Sequence, residues 1–297
     1  MKEVLALSRW REYIGFVAPL TILGAILATK STDSFLDYRL ILVFLGNFGA
    51  VAYAFMLNDI EDAQDDARDP HKKKRNPVSA NKISKTQAYT VARITGLLTL
   101  LAYFSAGGWV LWIGLFTLTL SHLYSWRAVR LKAWPVVDIV SHSLMLSGLL
   151  ILAGYYTYGT HPGVVWYVIA GAVAFSVYGQ LYNQLRDFTV DKKAKLKNTT
   201  ILLGYAKTQF LLYLSLVFGA VSIGIAAFEG VFPVWLAGIL LIGVVVGKQF
   251  QTKTHVGGTA VIDITGSYQA GAVIALNLTA FIWLAIELVR QLGAGFV

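Results

Sequence analysis

The sequence predicts an all-α polytopic membrane protein: about nine transmembrane helices in a bundle with a central cavity, and the N-terminus in the cytoplasm. Three observations predict it. Of 297 residues 56% are hydrophobic and only 14% charged, with a mean hydropathy of +0.61, far from the composition of a soluble domain. Apolar windows of roughly twenty residues, the length that crosses about 30 Å of hydrocarbon, recur between charged or Gly/Pro-rich breaks. Period-2 alternation is absent, and lipid-embedded backbone must satisfy its own hydrogen bonds, so the windows read as helices rather than barrel strands.

In order, the windows fall at about 13–30, 40–58, 86–105, 109–124, 135–155, 163–186, 206–227, 232–250 and 269–289. Placing them all across the membrane sorts the basic residues. The N-terminus carries three Lys or Arg, 59–93 eight, 125–134 three, 186–207 six and 248–253 two, against only Lys30, Arg39 and Arg290 on the other side. Positive loops stay inside, so the N-terminus and every charged loop are expected in the cytoplasm. The opposite loops "SAGG", "YTYGTHPG" and "FEGVFP" are turns with no chemistry to offer. The chain reads as one transmembrane domain over 1–297. Its first apolar stretch is interrupted by charge and lacks a small-residue cleavage site, so it is expected to stay in the mature protein.

Composition also excludes function classes. Without cysteine there is no disulfide, thiolate metal site or thiol nucleophile. The net charge of +9 belongs to the positive-inside loops and to anionic headgroups. No stretch interleaves aromatic and basic residues on a soluble module, so nucleic acid is not an expected partner.

Chemistry concentrates where the second window ends. "NDIEDAQDD", 58–66, holds five carboxylates, and Asn58, Asp62 and Asp66 stand at i, i+4 and i+8. If the helix continues, they share one face. The spacing returns in "YNQLRDFTVDKK", where Asn183, Asp187 and Asp191 end the sixth window. Each motif leads into a basic loop, "ARDPHKKKRNPVSANKIS" or "KKAKLKNTTILLG", and then into the next span. The correspondence reads as an internal pseudo-repeat that sets two oxygen ladders face to face. Stacked carboxylates at a helix C-terminus oppose one another and the helix dipole, so something positive must compensate. Asp and Asn oxygens, without His or Cys, suit Mg²⁺, which binds one or two carboxylates together with phosphate oxygens. Asp59, Glu61, Asp65 and Asp69 point off the ladder face and are expected to be solvated.

These two motifs, set after the second and sixth spans, resemble the aspartate-rich motifs of the UbiA-type intramembrane prenyltransferase superfamily. "HLYSWRAVRLK" after the fourth span resembles that family's Tyr-Ser-then-basic segment, and "NPVSANKIS" and "NTTILLG" resemble its sequels. Departures are Asn76-Pro77 and Asn81, where members often have Arg-Pro and then Gly, and Lys195, where a Gly is common. The resemblance implies an Mg²⁺-dependent enzyme moving an isoprenyl group from a polyprenyl diphosphate to a lipophilic acceptor at the cytoplasmic side of the cell membrane. It implies metal ligands Asn58, Asp62, Asp66, Asp187 and Asp191, with Asp62, Asp66, Asp187 and Asp191 catalytic. Asn58 and Asn183, with Arg130, Lys132, Arg186 and Lys193, are candidates to bind the diphosphate. Acceptors of similar proteins range over quinone precursors, haem, chlorophyll precursors, glycerol-phosphate lipids and carotenoids.

Further expectations attach to single residues. Tyr53, Phe55, Tyr178 and Tyr182 lie near the ladders and could offer π faces to an allylic cation, but a core or lipid-facing place is the favoured reading for each, since aromatics are frequent throughout the chain. Tyr124 reads as an interfacial tyrosine or an acceptor-side group, and Asp138 as a helix-start or acceptor-facing carboxylate, or a simple interfacial one. Asp263 reads as a loop residue. His71, His122, His142, His161 and His255 share no metal-ligand spacing and read as structural. Two alternatives stay open: phosphoribosyl transfer to a polyprenyl phosphate on the same fold, and a secondary transporter with a cytoplasmic carboxylate site.

Overall fold

A computed structural model of the chain describes residues 2–32, 34–193, 196–247, 249, 253–256, 259–262 and 264–294. A short helix α1 (Lys2–Ser8) and a 3-10 turn (Trp10–Glu12) precede α2 (Ile14–Thr32) and α3 (Arg39–Asp66). After the small helix α4 (Pro70–Arg75), a capping box starts α5 (Lys85–Ala106): Ser84 Oγ accepts from Gln87 N at 3.2 Å, and Gln87 Oε1 accepts from Ser84 N at 3.1 Å. Helix α6 (Gly108–Ser125) follows Gly107, whose φ of 150° a side chain would resist. Helix α7 (Val137–Ser143), a π-turn (Leu144–Gly148) and α8 (Leu149–Tyr156) run on as one span. Then come α9 (Val165–Lys193), α10 (Thr199–Leu203), α11 (Tyr205–Phe228) and α12 (Leu236–Gly247). An antiparallel pair, β1 (Lys253–Val256) and β2 (Thr259–Ile262), leads into α13 (Ile264–Ala294).

Seven spans among the described residues are long and apolar enough to cross a membrane: α2, α3, α5, α7–α8, α9, α11 and α13. The fourth and eighth expected spans are the short ones. Helix α6 has 18 residues, about 27 Å, which roughly matches the hydrocarbon thickness. Helix α12 is described over 12 residues, about 18 Å of that thickness. The turn at Pro233, where Leu236 N bonds Pro233 O at 3.0 Å, uses residues that the apolar window had counted as helix.

Helix α2 is buried on almost every side from Val17 to Thr29, as its lack of an apolar stripe requires of an enclosed helix. Two glycines let α8 approach it. A Cβ on Gly24 would stand 2.2 Å from Ile151 O, and one on Gly154 would stand 2.3 Å from Thr21 O. Pro19 cannot donate to Gly15 O, and Asn277 of α13 fills that place, its Nδ2 donating at 2.7 Å. Asn47 of α3 is saturated in the same way. It donates to Thr21 Oγ1 at 2.7 Å and Leu150 O at 3.0 Å, and it accepts from Tyr103 OH at 2.9 Å, so four spans meet on one amide. Outward, Leu97, Leu101 and Phe104 of α5, Trp112 and Phe116 of α6, and Phe210 and Phe218 of α11 are exposed, the surface of a protein solvated by lipid. This is a multi-pass helical membrane protein.

Candidate active site

Helices α3 and α9 have 28 and 29 residues, or about 42 Å each, against about 30 Å of hydrocarbon. Their C-terminal turns therefore carry the two acidic motifs beyond the apolar layer while remaining helical, and the i, i+4 pairs Asn58/Asp62 and Asp187/Asp191 keep their faces.

The first motif meets the segment 126–136. Lys132 Nζ donates to Asn58 Oδ1 at 2.8 Å and to Asp62 Oδ2 at 2.5 Å. Arg130 Nη2 donates to Asp62 Oδ1 at 3.1 Å, from a left-handed backbone at φ 51°. Arg127 reaches along the helix to Glu61 O at 2.9 Å and Asp65 Oδ2 at 3.1 Å. Burial lowers the Lys132 pKa below the usual ammonium range, against the pull of Asp62 and Asp66. Asp66, one turn beyond Asp62, is buried and accepts from Asn76 Nδ2 at 2.9 Å. The same Nδ2 donates to Asp59 O at 2.8 Å, while Asn76 Oδ1 accepts from Val78 N at 3.0 Å and Ser79 N at 3.3 Å. Ser79 Oγ donates to Ala63 O at 2.8 Å. The sequel "NPVSANKIS" is thus folded back onto the end of α3. Its Asn81 has φ 55°, which accounts for an Asn where the resembled family often has Gly.

The second motif is more open. Asp187 is 54% exposed and, among the described residues, pairs with its neighbour Arg186 at 3.3 Å. Asp191 accepts from Asn198 Nδ2 at 2.9 Å, and Asn198 Oδ1 caps α10 by accepting from Ile201 N at 2.9 Å. Burial first and then Asp187 raise the Asp191 pKa, opposed by the Asn198 amide and by Lys72. Lys72 belongs to the loop after the first motif, so the two regions adjoin. Asn183 and Lys193 are exposed.

One segment links the motifs. After Lys132 the chain passes Val136, at φ 73°, a strained conformation for a β-branched residue; its N–H donates to Thr199 Oγ1 at 2.7 Å. Asp138 then accepts from Thr199 N at 3.0 Å, Thr199 Oγ1 and Gln184 Nε2, the last at 2.7 Å. Gln184 Oε1 in turn accepts from Thr200 N at 3.1 Å and Thr200 Oγ1 at 3.0 Å. Asp138 stands in the first turn of α7, the helix-start place expected of it; buried and fully engaged, it is neither interfacial nor free to face an acceptor, and it locks α7 to α9 and α10.

Two expectations need correction. Asp59 and Glu61 are buried rather than solvated, because the N-terminal segment and α5 cover that side of α3. Arg9 Nη1 donates to Asp59 Oδ1 at 3.2 Å, and Tyr89 OH to Glu61 Oε1 at 2.5 Å. Asp65 is half exposed beside Arg127, and Asp69 is partly buried and caps α4. Of the aromatics, Phe55 is already covered by Arg9, 4.6 Å from its centroid, and by Tyr13. Tyr178 and Tyr182 are buried among Ile139, Leu181 and Leu212. Tyr53 OH is 2.9 Å from His122 Nδ1, and Tyr124 lies against His142 with ring centroids 6.2 Å apart. Lys195, Asp263 and the side chain of His255 lie outside the described residues. Asn76, Asn198, Arg127 and Arg9 were not singled out as site residues. The signal for the first two was present, since each sequel opens on an Asn.

Hard-cation chemistry fits this donor set. Among the described residues no three His, Asp or Glu side chains converge into a cage. Mg²⁺ does not need one, since it binds one or two carboxylates with water and phosphate oxygens. The Lys132 ammonium between Asn58 and Asp62 already occupies a cation position.

Fold and site together define a class: polytopic helical membrane proteins with paired acidic motifs at the ends of two long helices. Residues 17–262 match the UbiA prenyltransferase family, and the chain belongs to it; it is an enzyme that transfers prenyl groups. It is similar to the lycopene elongase/hydratase of Haloferax volcanii, 24% identical over 254 residues, 82% of this chain and 81% of that protein. The lycopene elongase/hydratase of Haloarcula japonica is 26% identical over 241 residues, 80% of this chain and 77% of that protein. The fold matches that of a UbiA homolog from Archaeoglobus fulgidus bound to GPP and Mg²⁺, with TM-score 0.72 and 20% identity, covering 95% of this chain and 99% of that one.

Proposed function

We propose that this enzyme transfers an isoprenyl group from a polyprenyl diphosphate to a lipophilic acceptor, with Mg²⁺, at the cytoplasmic face of the cell membrane. The observation that carries the reading is the pair of oxygen ladders at the ends of α3 and α9, flanked by Arg130 and Lys132. Asn58, Asp62 and Asp66 on one side and Asp187 and Asp191 on the other would hold the metal, which when bound offsets the charge of the leaving diphosphate. Arg130 and Lys132 hold positive charge where the allylic C–O bond breaks and pyrophosphate leaves. Arg186, exposed and paired with Asp187 at 3.3 Å, and the exposed Lys193 stand where a diphosphate at the second motif would meet them. The apolar spans keep water from the allylic cation until the acceptor attacks it. The asymmetry of Lys and Arg supports the cytoplasmic side. The position of the acids at helix ends, away from the bilayer midplane, disfavours a transporter. An isoprenoid hydrocarbon such as lycopene is the first acceptor to try, since both relatives named above are lycopene elongase/hydratases.

Purified protein given a polyprenyl diphosphate and a panel of acceptors, lycopene among them, tests this. Pyrophosphate release is expected to require Mg²⁺ and to fall by a factor of about a hundred or more in Asp62→Asn and Asp187→Asn, the scale of losing a group that stabilises transition-state charge. Release at the wild-type rate in both variants would defeat the reading. Transfer only from a phosphoribosyl diphosphate to a polyprenyl phosphate would replace it.

A further inference from the structure

The two ladders differ in what already sits on them. In the first, Lys132 Nζ lies 2.8 Å from Asn58 Oδ1 and 2.5 Å from Asp62 Oδ2, the position a cation would take between an i, i+4 ligand pair. Arg130 takes the other Asp62 oxygen at 3.1 Å. In the second, among the described residues, Asp187 pairs with the adjacent, exposed Arg186, and Asp191 has the uncharged Asn198 amide, with Lys72 acting on it by charge without an ion-pair contact. A free divalent ion therefore meets, at the second ladder, a solvent-exposed arginine paired with Asp187 but nothing between Asp187 and Asp191, and, at the first, must displace a mostly buried ammonium seated between the two ligands while a guanidinium repels it.

We propose that Lys132 is the resident counter-ion of the first ladder and a positioning residue that couples metal to donor: a divalent cation loads there only when a diphosphate draws the ammonium away. Loading is then ordered, with 187–191 filled in the free enzyme and 58–62 filled together with the donor. This rests on the diphosphate reading above. The diphosphate supplies the oxygens that replace Asp62 as partners of Lys132 and Arg130, and the flexible Lys stem moves its head group without moving the backbone. Positive charge thereby passes from ladder to leaving group as the metal arrives, and the first ladder stays closed without substrate.

Mn²⁺ binding to the purified full-length protein, followed by electron paramagnetic resonance with and without inorganic pyrophosphate, tests the order, a protein-free control correcting for the Mn²⁺–pyrophosphate complex. Wild type is expected to bind one ion alone and a second with pyrophosphate; Asp187→Asn removes the first. Lys132→Met binds both ions without pyrophosphate, the second at least tenfold tighter than wild type does, and Lys132→Arg keeps the wild-type order. Should the Met variant not fold, Lys132→Gln, also uncharged, shows the same tightening. If the neutral variants bind the second ion no tighter, the counter-ion role fails while pyrophosphate-dependent binding leaves the prenyl-transfer reading standing. Loss of the first ion in Asp62→Asn rather than Asp187→Asn overturns the order. No Mn²⁺ binding in wild type even with pyrophosphate overturns both.

Discussion

Asn76 makes four hydrogen bonds with one amide, holding Asp66 and the backbone of Asp59 on one side and the N–H groups of Val78 and Ser79 on the other. Asn198 repeats the device on Asp191 and Ile201. Deleting such an amide orphans buried groups, so Asn76→Ala is expected to cost about 3 kcal/mol, read from the unfolding midpoint in detergent, with Mg²⁺-dependent activity falling alongside it. A midpoint shift under about 0.5 kcal/mol would show that water replaces the amide. Arg9 and Asp59 make a second residue-scale case. Asp59 is fully buried and its Oδ2 has no hydrogen-bond partner among the described residues, so Arg9→Met is expected to cost about 3–5 kcal/mol by stranding a charge. Adding Asp59→Asn should recover at least half of that loss, and a double variant as unstable as the single would locate the cost elsewhere. In the sequence Asp59 differed from Asp62 only by lying off one helix face. What covers that other face was illegible, because it comes from residues fifty positions away.

At the scale of elements, α2 and α13 are joined through a defect. Pro19 leaves Gly15 O without its helical donor, and Asn277 supplies one at 2.7 Å. Asn277→Leu is expected to cost about 1–3 kcal/mol, the penalty of an unpaired carbonyl. In the Pro19→Ala background, where the restored backbone N–H bonds Gly15 O within the helix, the same change should cost little. Equal costs in both backgrounds, from denaturation midpoints of all four proteins, would rule the partnership out. The presence of α2 was plain from its apolar run, and Pro19 was visible within it. That Asn277 repairs it was not, since nothing local marks one Asn among the polar residues of a distant helix. The same holds for α8, whose Gly154 looks unremarkable until the backbone of α2 is found against it.

For the whole molecule the question is which way the bundle faces. The chain has no cysteine, so single introduced cysteines report sidedness directly. Lys73→Cys, in the loop after the first motif, is expected to label only from the cytoplasmic side, and Glu229→Cys, after α11, only from the opposite side. The reverse pattern would put the acidic motifs outside and defeat the cytoplasmic assignment.

The sequence alone determined the class of the protein, because composition and span length are set by the solvent that each segment meets. It also determined the acidic faces, because spacing along a helix is a one-dimensional fact: Asn58 and Asp62, and Asp187 and Asp191, needed only the helix to continue. Tertiary structure decided which of those carboxylates are paired, since pairing depends on what packs against each face. It brought Lys132 and Arg130 onto Asp62, Asn76 onto Asp66 and Arg9 onto Asp59, and it turned Asp138 from a candidate acceptor contact into the lock between α7 and α10. It also started α12 at Leu236 rather than at residue 232, because a turn at Pro233 spends apolar residues that a composition window counts as helix.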